Sequence, residues 1–215
     1  MADSNLTGFQ TAGYRLSGVV HVGANDGAEI DWYLVNNCSP VLCFVPHPAA
    51  VARARERWAA WPQVTYVQCA LGAENGHLAF TVPADGDDEK TSRYTPIPTP
   101  GHDWTFVGAG EQILCPVLRF DDWAGRNRFD LSRFNALVVD AQGMELEVLE
   151  GFGRYLQSFD FLCIELSQHP IYEGEVAGND VSRWLQDRGY RQETPLDQHH
   201  DVLFVAERIA LPILR

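Results

Sequence analysis

Basic charge is scarce in this chain: Lys and Arg total 16 against 29 Asp and Glu, giving a net charge of −13. The deficit is spread along the sequence rather than gathered in a tail. Such a surface repels nucleic acid and anionic membranes, so neither is expected as a partner. Long apolar runs are missing too. No stretch approaches membrane-spanning length, and the opening residues Met1 to Gly8 show no basic region followed by an apolar core. A cytoplasmic protein is the expectation. The five cysteines contain no CxxC and no Cys/His pair at zinc-ligand spacing. Cys43, Cys69 and Cys163 fall inside apolar, strand-like runs, where cysteine behaves as a small hydrophobe, so neither a disulfide framework nor a metal site is expected.

What is present is an ordinary globular composition, 215 residues with 46% hydrophobic content, enough for a sizeable core in one domain. The organising stretch is Val19-Val20-His21-Val22-Gly23-Ala24-Asn25-Asp26-Gly27-Ala28-Glu29. A β-branched run breaks into two glycines four residues apart and then into an amphipathic segment, which reads as strand, tight loop and helix start. Backbone can approach a ligand closely there, and free helix N–H groups suit a nucleotide-like cofactor at a sheet edge. The spacing is not GxGxxG, and a glycine pair after a strand also serves as a plain turn.

Downstream, strand and helix patterns alternate. A helix is expected over about 28–37, a strand at Val41 to Val45 closed by Pro46-His47-Pro48, and a helix over 49–61 carrying Val51, Ala54, Trp58 and Trp61. Val64 to Ala70 reads as the third strand. The alternation predicts an α/β, doubly wound parallel sheet. Asn75-Gly76 marks a tight turn between Ala70-Leu71 and His77 to Val82, a β-ribbon excursion. Residues 83–112 are irregular, and Tyr94, Trp104 and Phe106 suggest a lid over a ligand. The regular pattern returns with Cys115 to Leu118, a helix at Asp121 to Trp123, and strand Ala136 to Val139 ending in Asp140. A helix over 143–157 would bury Met144, Val148, Leu149, Phe152 and Leu156. Strand Phe161 to Leu166, a helix over about 181–188 capped by Asn179-Asp180, and strands near 189–193 and 202–206 complete the chain. The expected division is a lead-in at 1–18, one domain at 19–207 with the ribbon and lid inserted at about 71–118, and a tail at 208–215. The apolar Ile209 to Leu214 would pack internally or against a second subunit, and nothing in the sequence fixes the oligomeric state.

Several of these stretches together resemble the FkbM-type S-adenosylmethionine-dependent methyltransferases. They are strand one with Gly23-Ala24-Asn25-Asp26-Gly27, Phe44-Val45-Pro46-His47-Pro48, Ala70-Leu71-Gly72, Leu118 to Asp122, and Val138 to Glu145 continued by Val148-Leu149-Glu150-Gly151. The resemblance covers about residues 19–206. It implies a class I methyltransferase (Rossmann-like) fold, a mostly parallel seven-stranded sheet with an antiparallel last strand, and S-adenosylmethionine as cofactor. It also implies that Gly23, Ala24, Asn25 and Gly27 surround the methionine part, that Cys69-Ala70 lie by the adenine, and that Asp140 sits near the reacting centre. Two positions depart from the family pattern. His21 stands where an acid is usual. Val45 stands where a glutamate normally accepts hydrogen bonds from the ribose hydroxyls, a loss of roughly 1.5 to 3 kcal/mol per bond. His47 is a candidate substitute, or simply a solvated turn residue. The expectation is weakened cofactor affinity that Val45→Glu improves, checked by calorimetric titration.

Ligands of a doubly wound sheet bind beyond the carboxyl ends of its strands. That rule selects Gly23 to Gly27, Pro46-His47, Ala70, Asp140 to Gln142, and Ser167-Gln168-His169. A loop with His199-His200-Asp201 joins them if the last strand returns antiparallel. Methyl transfer to oxygen needs positioning and removal of a proton, for which histidine has a suitable pKa. His199 and His200 are therefore catalytic candidates. Asp140, before a helix N-terminus, is expected to be ionised and to orient a cofactor amine or substrate hydroxyl. Glu145 is either catalytic or a partner of the helix dipole. Glu165 faces the cleft or pairs with an arginine, His169 is a substrate-side candidate, and Arg93-Tyr94 sit where family members carry a substrate stretch. Arg93 would bind a carboxylate or phosphate, or balance the acidic 85–89 run.

The first expectation is methylation of a hydroxyl on a small-molecule or sugar-like metabolite. The second, motivated by Val45, is a methyltransferase-like domain with lost or altered cofactor use that serves as a binding or assembly module. A nicotinamide-dependent oxidoreductase is disfavoured by the glycine spacing and by the missing acid after strand two.

Overall fold

The computed structural model describes residues 6–84, 88–98 and 110–210. The expected lid residues Trp104 and Phe106, the acidic Asp85 to Asp87 and the tail beyond Ala210 lie outside them. In chain order the first half contains α1 (Thr7–Thr11), β1 (Gly18–Val22), α2 (Ile30–Val35), β2 (Val41–Phe44), α3 (Pro48–Arg57), β3 (Val64–Val67), β4 (Ala70–Leu71), β5 (Gly76–Val82) and β6 (Glu111–Leu118). The second half contains α4 (Phe120–Asn127), β7 (Phe134–Val139), α5 (Glu145–Gly151), β8 (Phe161–Ser167), α6 (Gly178–Gln186), β9 (Tyr190–Gln192) and β10 (His199–Ala206).

Seven strands form the central sheet in the order β3-β2-β1-β7-β8-β10-β9. β10 runs antiparallel to both of its neighbours, and the other pairs are parallel. The chain winds outward from β1 to β3, then returns to lay β7 on the other side of β1. Neighbouring strand ends diverge at that reversal, opening a crevice beyond the carboxyl ends of β1 and β7. Every residue of β1 and β2 is buried, as expected of parallel strands covered on both faces. Alternation divides their side chains between two apolar layers. Val20, Val22, Leu42, Phe44, Leu137 and Val139 pack towards α4 and α5, with Phe120 and Phe152 stacked at 4.2 Å. Val19, Val41, Cys43 and Val138 pack towards α2 and α3.

The doubly wound sheet is as the sequence predicts; several boundaries are not. The expected third strand divides, because after β3 the chain leaves the central sheet and β4 joins a separate three-stranded sheet. There β6 lies between β4 and β5, parallel to the first and antiparallel to the second, so Ala70-Leu71 and His77 to Val82 do not pair with each other. The helix expected over 143–157 ends at Gly151 and continues as a 3-10 turn from Gly153, whose φ of +51° interrupts the α-helical course. α3 stops at Arg57, leaving Trp61 outside it and 44% exposed. α6 begins at Gly178 with Ala177 as its N-cap, so Asn179 and Asp180 lie inside the first turn rather than capping it. His199, His200 and Asp201 open strand β10 rather than lying in a loop.

Candidate active site

Two adjoining cavities open at the crevice. The first takes in about 550 Å³ of empty space, open solvent included. Its floor is apolar, formed by Phe44, Ala70, Leu71, Phe80, Met144 and Val148, and its rim carries Asn25, His47, Asp88 and Asp140. The second is polar, lined by His21, Glu29, Lys90, Asp140, Glu165 and His199 among others. Gly23, Asn25, Glu89, Asp140 and Gln142 border both.

Gly23 is the hinge of the site. Its φ is +91°, and a Cβ there would stand 1.7 Å from the Asp140 carbonyl oxygen, so β1 and β7 can run on side by side only with glycine at this position. Gly23 N–H donates to Phe44 O at 2.9 Å and Asp140 N–H to Val22 O at 3.0 Å, extending the ladders into the loops. Asn25 follows in the left-handed region, and its side chain lies in both cavities. Gly27, also predicted to meet cofactor, lines neither cavity; a Cβ there would press on Tyr66 and Trp58, so packing explains this glycine.

The carboxyl ends of β7 and β8 carry a connected polar cluster. Gln142 Nε2 donates to Asp140 Oδ1 and to Glu165 Oε2 at 2.9 Å, and its Oε1 accepts from Tyr172 at 2.6 Å. His199 Nε2 is 3.4 Å from Glu165 Oε1, and its Nδ1 is 2.8 Å from Ser167 Oγ. Burial and the neighbouring Glu165 charge push Asp140 well above the ordinary carboxylate range. Desolvation thus works against the ionised form expected of Asp140 from its place before a helix N-terminus. Burial also acts to raise Glu165, but hydrogen bonding with His199 and Asp140 prevails and holds it low. That same bond to Glu165 is the main cause raising His199 above 6.5, against the opposing effect of burial. His21, 3% exposed and 3.0 Å from Tyr33 through its Nδ1, is pushed down by burial against the opposing pull of Glu29 and is neutral.

Other predicted residues take different places. Glu145, 4% exposed, accepts from the N–H groups of Ala141 at 2.9 Å and Gly143 at 3.2 Å, so it braces the loop and does not line either cavity. His200 directs both ring nitrogens at the backbone carbonyls of Asp197 and Pro195, which takes it out of the cavity. His169 and Arg93 are exposed, and Tyr94 hydrogen-bonds Glu147 beside Gly143; none of the three lines either cavity. Cys69 is buried behind Ala70 and lines neither. Pro46 and Val45 border the first cavity, but Val45 is 3% exposed and shares the apolar layer of Ala50, Val51 and Ala54. His47 is not a solvated turn residue: its Nδ1 accepts from Ala50 N–H at 3.2 Å and caps α3. Gln142 and Ser167, selected by the strand-end rule but given no role from sequence, join the polar cluster. Asp88 and Tyr172 were not singled out from sequence as site residues.

Glu145 gives stability a pH dependence. Burial, then the charge of Glu165, pushes its carboxyl up to about 8. Above the ordinary glutamate range the unfolded chain has lost this proton while the folded protein keeps it, so the contribution of Glu145 to stability is fully present at low pH and is lost as pH rises towards that value. Urea midpoints measured from about pH 5 to about pH 8 should decline, and Glu145→Gln should flatten the decline.

Residues 21–192 match the Methyltransferase FkbM domain. The chain belongs to the FkbM methyltransferase family. The 2-O-methyltransferase NoeI of Sinorhizobium fredii (strain NBRC 101917 / NGR234) is 26% identical over 163 residues, 74% of this chain and 66% of that protein. The FkbM chain therefore spans slightly less than two thirds of that relative. Among solved structures, Sp1610 of Streptococcus pneumoniae, provisionally described as a tRNA (m1A22) methyltransferase, aligns with TM-score 0.52 and 10% identity over 99% of this chain and 73% of its own. An S-adenosylmethionine-dependent methyltransferase from Aquifex aeolicus aligns with TM-score 0.50 and 13% identity over 94% and 88%. These likenesses establish a class I methyltransferase fold. The FkbM family uses S-adenosylmethionine as methyl donor, and whether this chain can hold it is a question for its site. Its residues fit that group: the apolar floor matches a flat base, and the side-chain-free backbone at Gly23 permits close approach beside polar groups. No helix of the described residues is long and apolar enough to cross a membrane.

Proposed function

We propose that this FkbM methyltransferase transfers a methyl group to a hydroxyl of a small, sugar-like acceptor held in the second cavity. The observation that carries the reading is the Asp140–Gln142–Glu165–His199 cluster, which stands where the two cavities meet. When bound, S-adenosylmethionine supplies an electrophilic methyl group open to in-line attack. The backbone of Gly23 to Asn25 and the side chains of Asn25 and His47 would hold the donor, and the apolar surface of Ala70, Leu71 and Met144 would receive its base. His21, neutral, contributes a polar wall without charge. Asp140 in its protonated form donates a hydrogen bond, and Gln142 fixes its distance from Glu165. His199 Nε2 and Glu165 Oε1 stand 3.4 Å apart at the wall of the second cavity, where an acceptor hydroxyl can lie against both. Neutral His199 then takes the hydroxyl proton at Nε2, and ionised Glu165 stabilises the imidazolium that forms. The name of NoeI supports oxygen as the acceptor atom, and the charge of −13 weighs against RNA. We assign it to the cytoplasm, in keeping with five buried, free thiols.

The test is incubation with carbon-13 methyl-labelled donor and separate pools of saccharides, amines and RNA transcripts, with the label located by NMR. Labelled O-methyl saccharide is the expected product. Label confined to nitrogen or RNA would overturn the reading.

A further inference from the structure

We propose that Asp88, carried by the segment inserted between β5 and β6, is the carboxylate that binds the donor's ribose hydroxyls. The inference rests on the S-adenosylmethionine reading and goes beyond it, because it moves ribose recognition from the central sheet to the insertion. β2 ends in Val45, which has no polar atom to offer and lies in the apolar layer beneath α3. The rim of the same cavity nevertheless holds a carboxylate. Asp88 borders it with a side chain 13% exposed and accepts from Arg53 Nη2 at 2.5 Å and Asn25 Nδ2 at 3.2 Å. It stands 3.5 Å from His47 Nδ1, two residues beyond Val45. That nitrogen already accepts from Ala50 N–H, which caps α3. Asp88 is fixed from behind: its carbonyl accepts from Thr91 N–H at 3.2 Å and Thr91 Oγ1 at 2.7 Å, and Ser92 next to Thr91 is fully buried. Asn25 and Arg53 occupy two of the roughly four acceptor positions of a carboxylate, and a vicinal diol needs two. The arrangement supplies an oriented anion, braced by an arginine and an amide, against the wall that β2 leaves bare.

The experiment is calorimetric titration with S-adenosylhomocysteine and with its 2′-deoxy and 3′-deoxy analogues, so no turnover enters the readout. The unmodified protein should prefer the intact ribose by about ten-fold or more, since each hydrogen bond to a charged group is worth that much. Asp88→Asn should erase most of the preference while changing affinity for the deoxy analogues little. Arg53→Gln keeps the carboxylate and should keep the preference, which separates ribose recognition from the folding of the insertion. An unmodified protein with no preference, or an Asp88→Asn protein that retains it or loses affinity equally for every ligand, overturns the proposal while leaving the donor reading intact. Absence of binding to S-adenosylhomocysteine by the unmodified protein would overturn both.

Discussion

Replacing Glu165 with glutamine should lower kcat for methyl transfer by about 10²- to 10⁴-fold and move the pH profile of the residual activity to lower pH. Glutamine keeps the size of the side chain and its contact with Gln142, so the fold and the donor cavity, which Glu165 does not border, are left in place. What goes is the negative charge beside His199. In the unmodified protein a proton acceptor at His199 must first be neutral, and the bond to Glu165 holds it protonated to pH values above 6.5. Activity should therefore rise with pH as His199 loses its proton. Without the carboxylate, burial is the largest remaining influence on the imidazole and favours the neutral form, against the smaller pulls of Glu175 and Glu145. The rising limb should then fall to or below the ordinary histidine value, with a low plateau because nothing stabilises the imidazolium in the transition state. A pH series of kcat/KM for both proteins reads both effects. A full-rate Glu165→Gln enzyme, or an unmoved limb, would remove the His199–Glu165 pair from the chemistry.

Gly23→Ala is the second large effect, and it acts on stability and donor binding together. The substitution places a methyl group 1.7 Å from the Asp140 carbonyl oxygen at a φ of +91°. Strain of the backbone alone costs about 1–3 kcal/mol, and relief of the clash requires β1 and β7 to separate, so a total of about 3 kcal/mol or more is expected. For a chain of this size that lowers Tm by roughly 6–12 °C. Any shift that relieves the clash moves Asn25 and Asp140 apart across the mouth of the donor cavity, so affinity for S-adenosylhomocysteine should drop as well. Gly125→Ala is the internal control: it lies in α4 with nothing within 4 Å of the added Cβ, and it should stabilise by about 0.5–1 kcal/mol. Thermal scans of the two variants beside the unmodified protein check both signs.

Much of the central sheet was legible because its strands are short β-branched runs followed by helices with an apolar stripe, a pattern that two-sided burial imposes. The division of the third strand was not. Cys69, Ala70 and Leu71 are as apolar as the strand before them, and only the pairing of Ala70 with Val117 and Leu71 with Leu118 draws them into the second sheet. Such long-range pairing leaves no local trace. In the site, the strand-end rule found Gly23, Asn25, Asp140, Gln142 and His199, because topology alone decides what stands at the carboxyl rim. It could not decide between His199 and His200, adjacent in sequence but turned in opposite directions by the strand pleat. Nor could it foresee the state of Asp140, which depends on Glu165 across the sheet. Asp88 was hidden for another reason. An acidic run within an irregular stretch reads as solvated, and only folding brings one of its carboxylates against Asn25 and Arg53.

The most direct test of the account is hydrogen–deuterium exchange of the intact protein with and without S-adenosylhomocysteine. The donor cavity spans the ends of β1, β2 and β7, the β4 segment and the start of the inserted segment. Peptides covering 19–27, 44–50, 69–72, 88–92 and 138–145 should slow together on binding, while α6 and β9 keep their rates. Protection centred elsewhere, or none at these five segments at saturating ligand, would contradict the assignment of this crevice as the methyl-donor site.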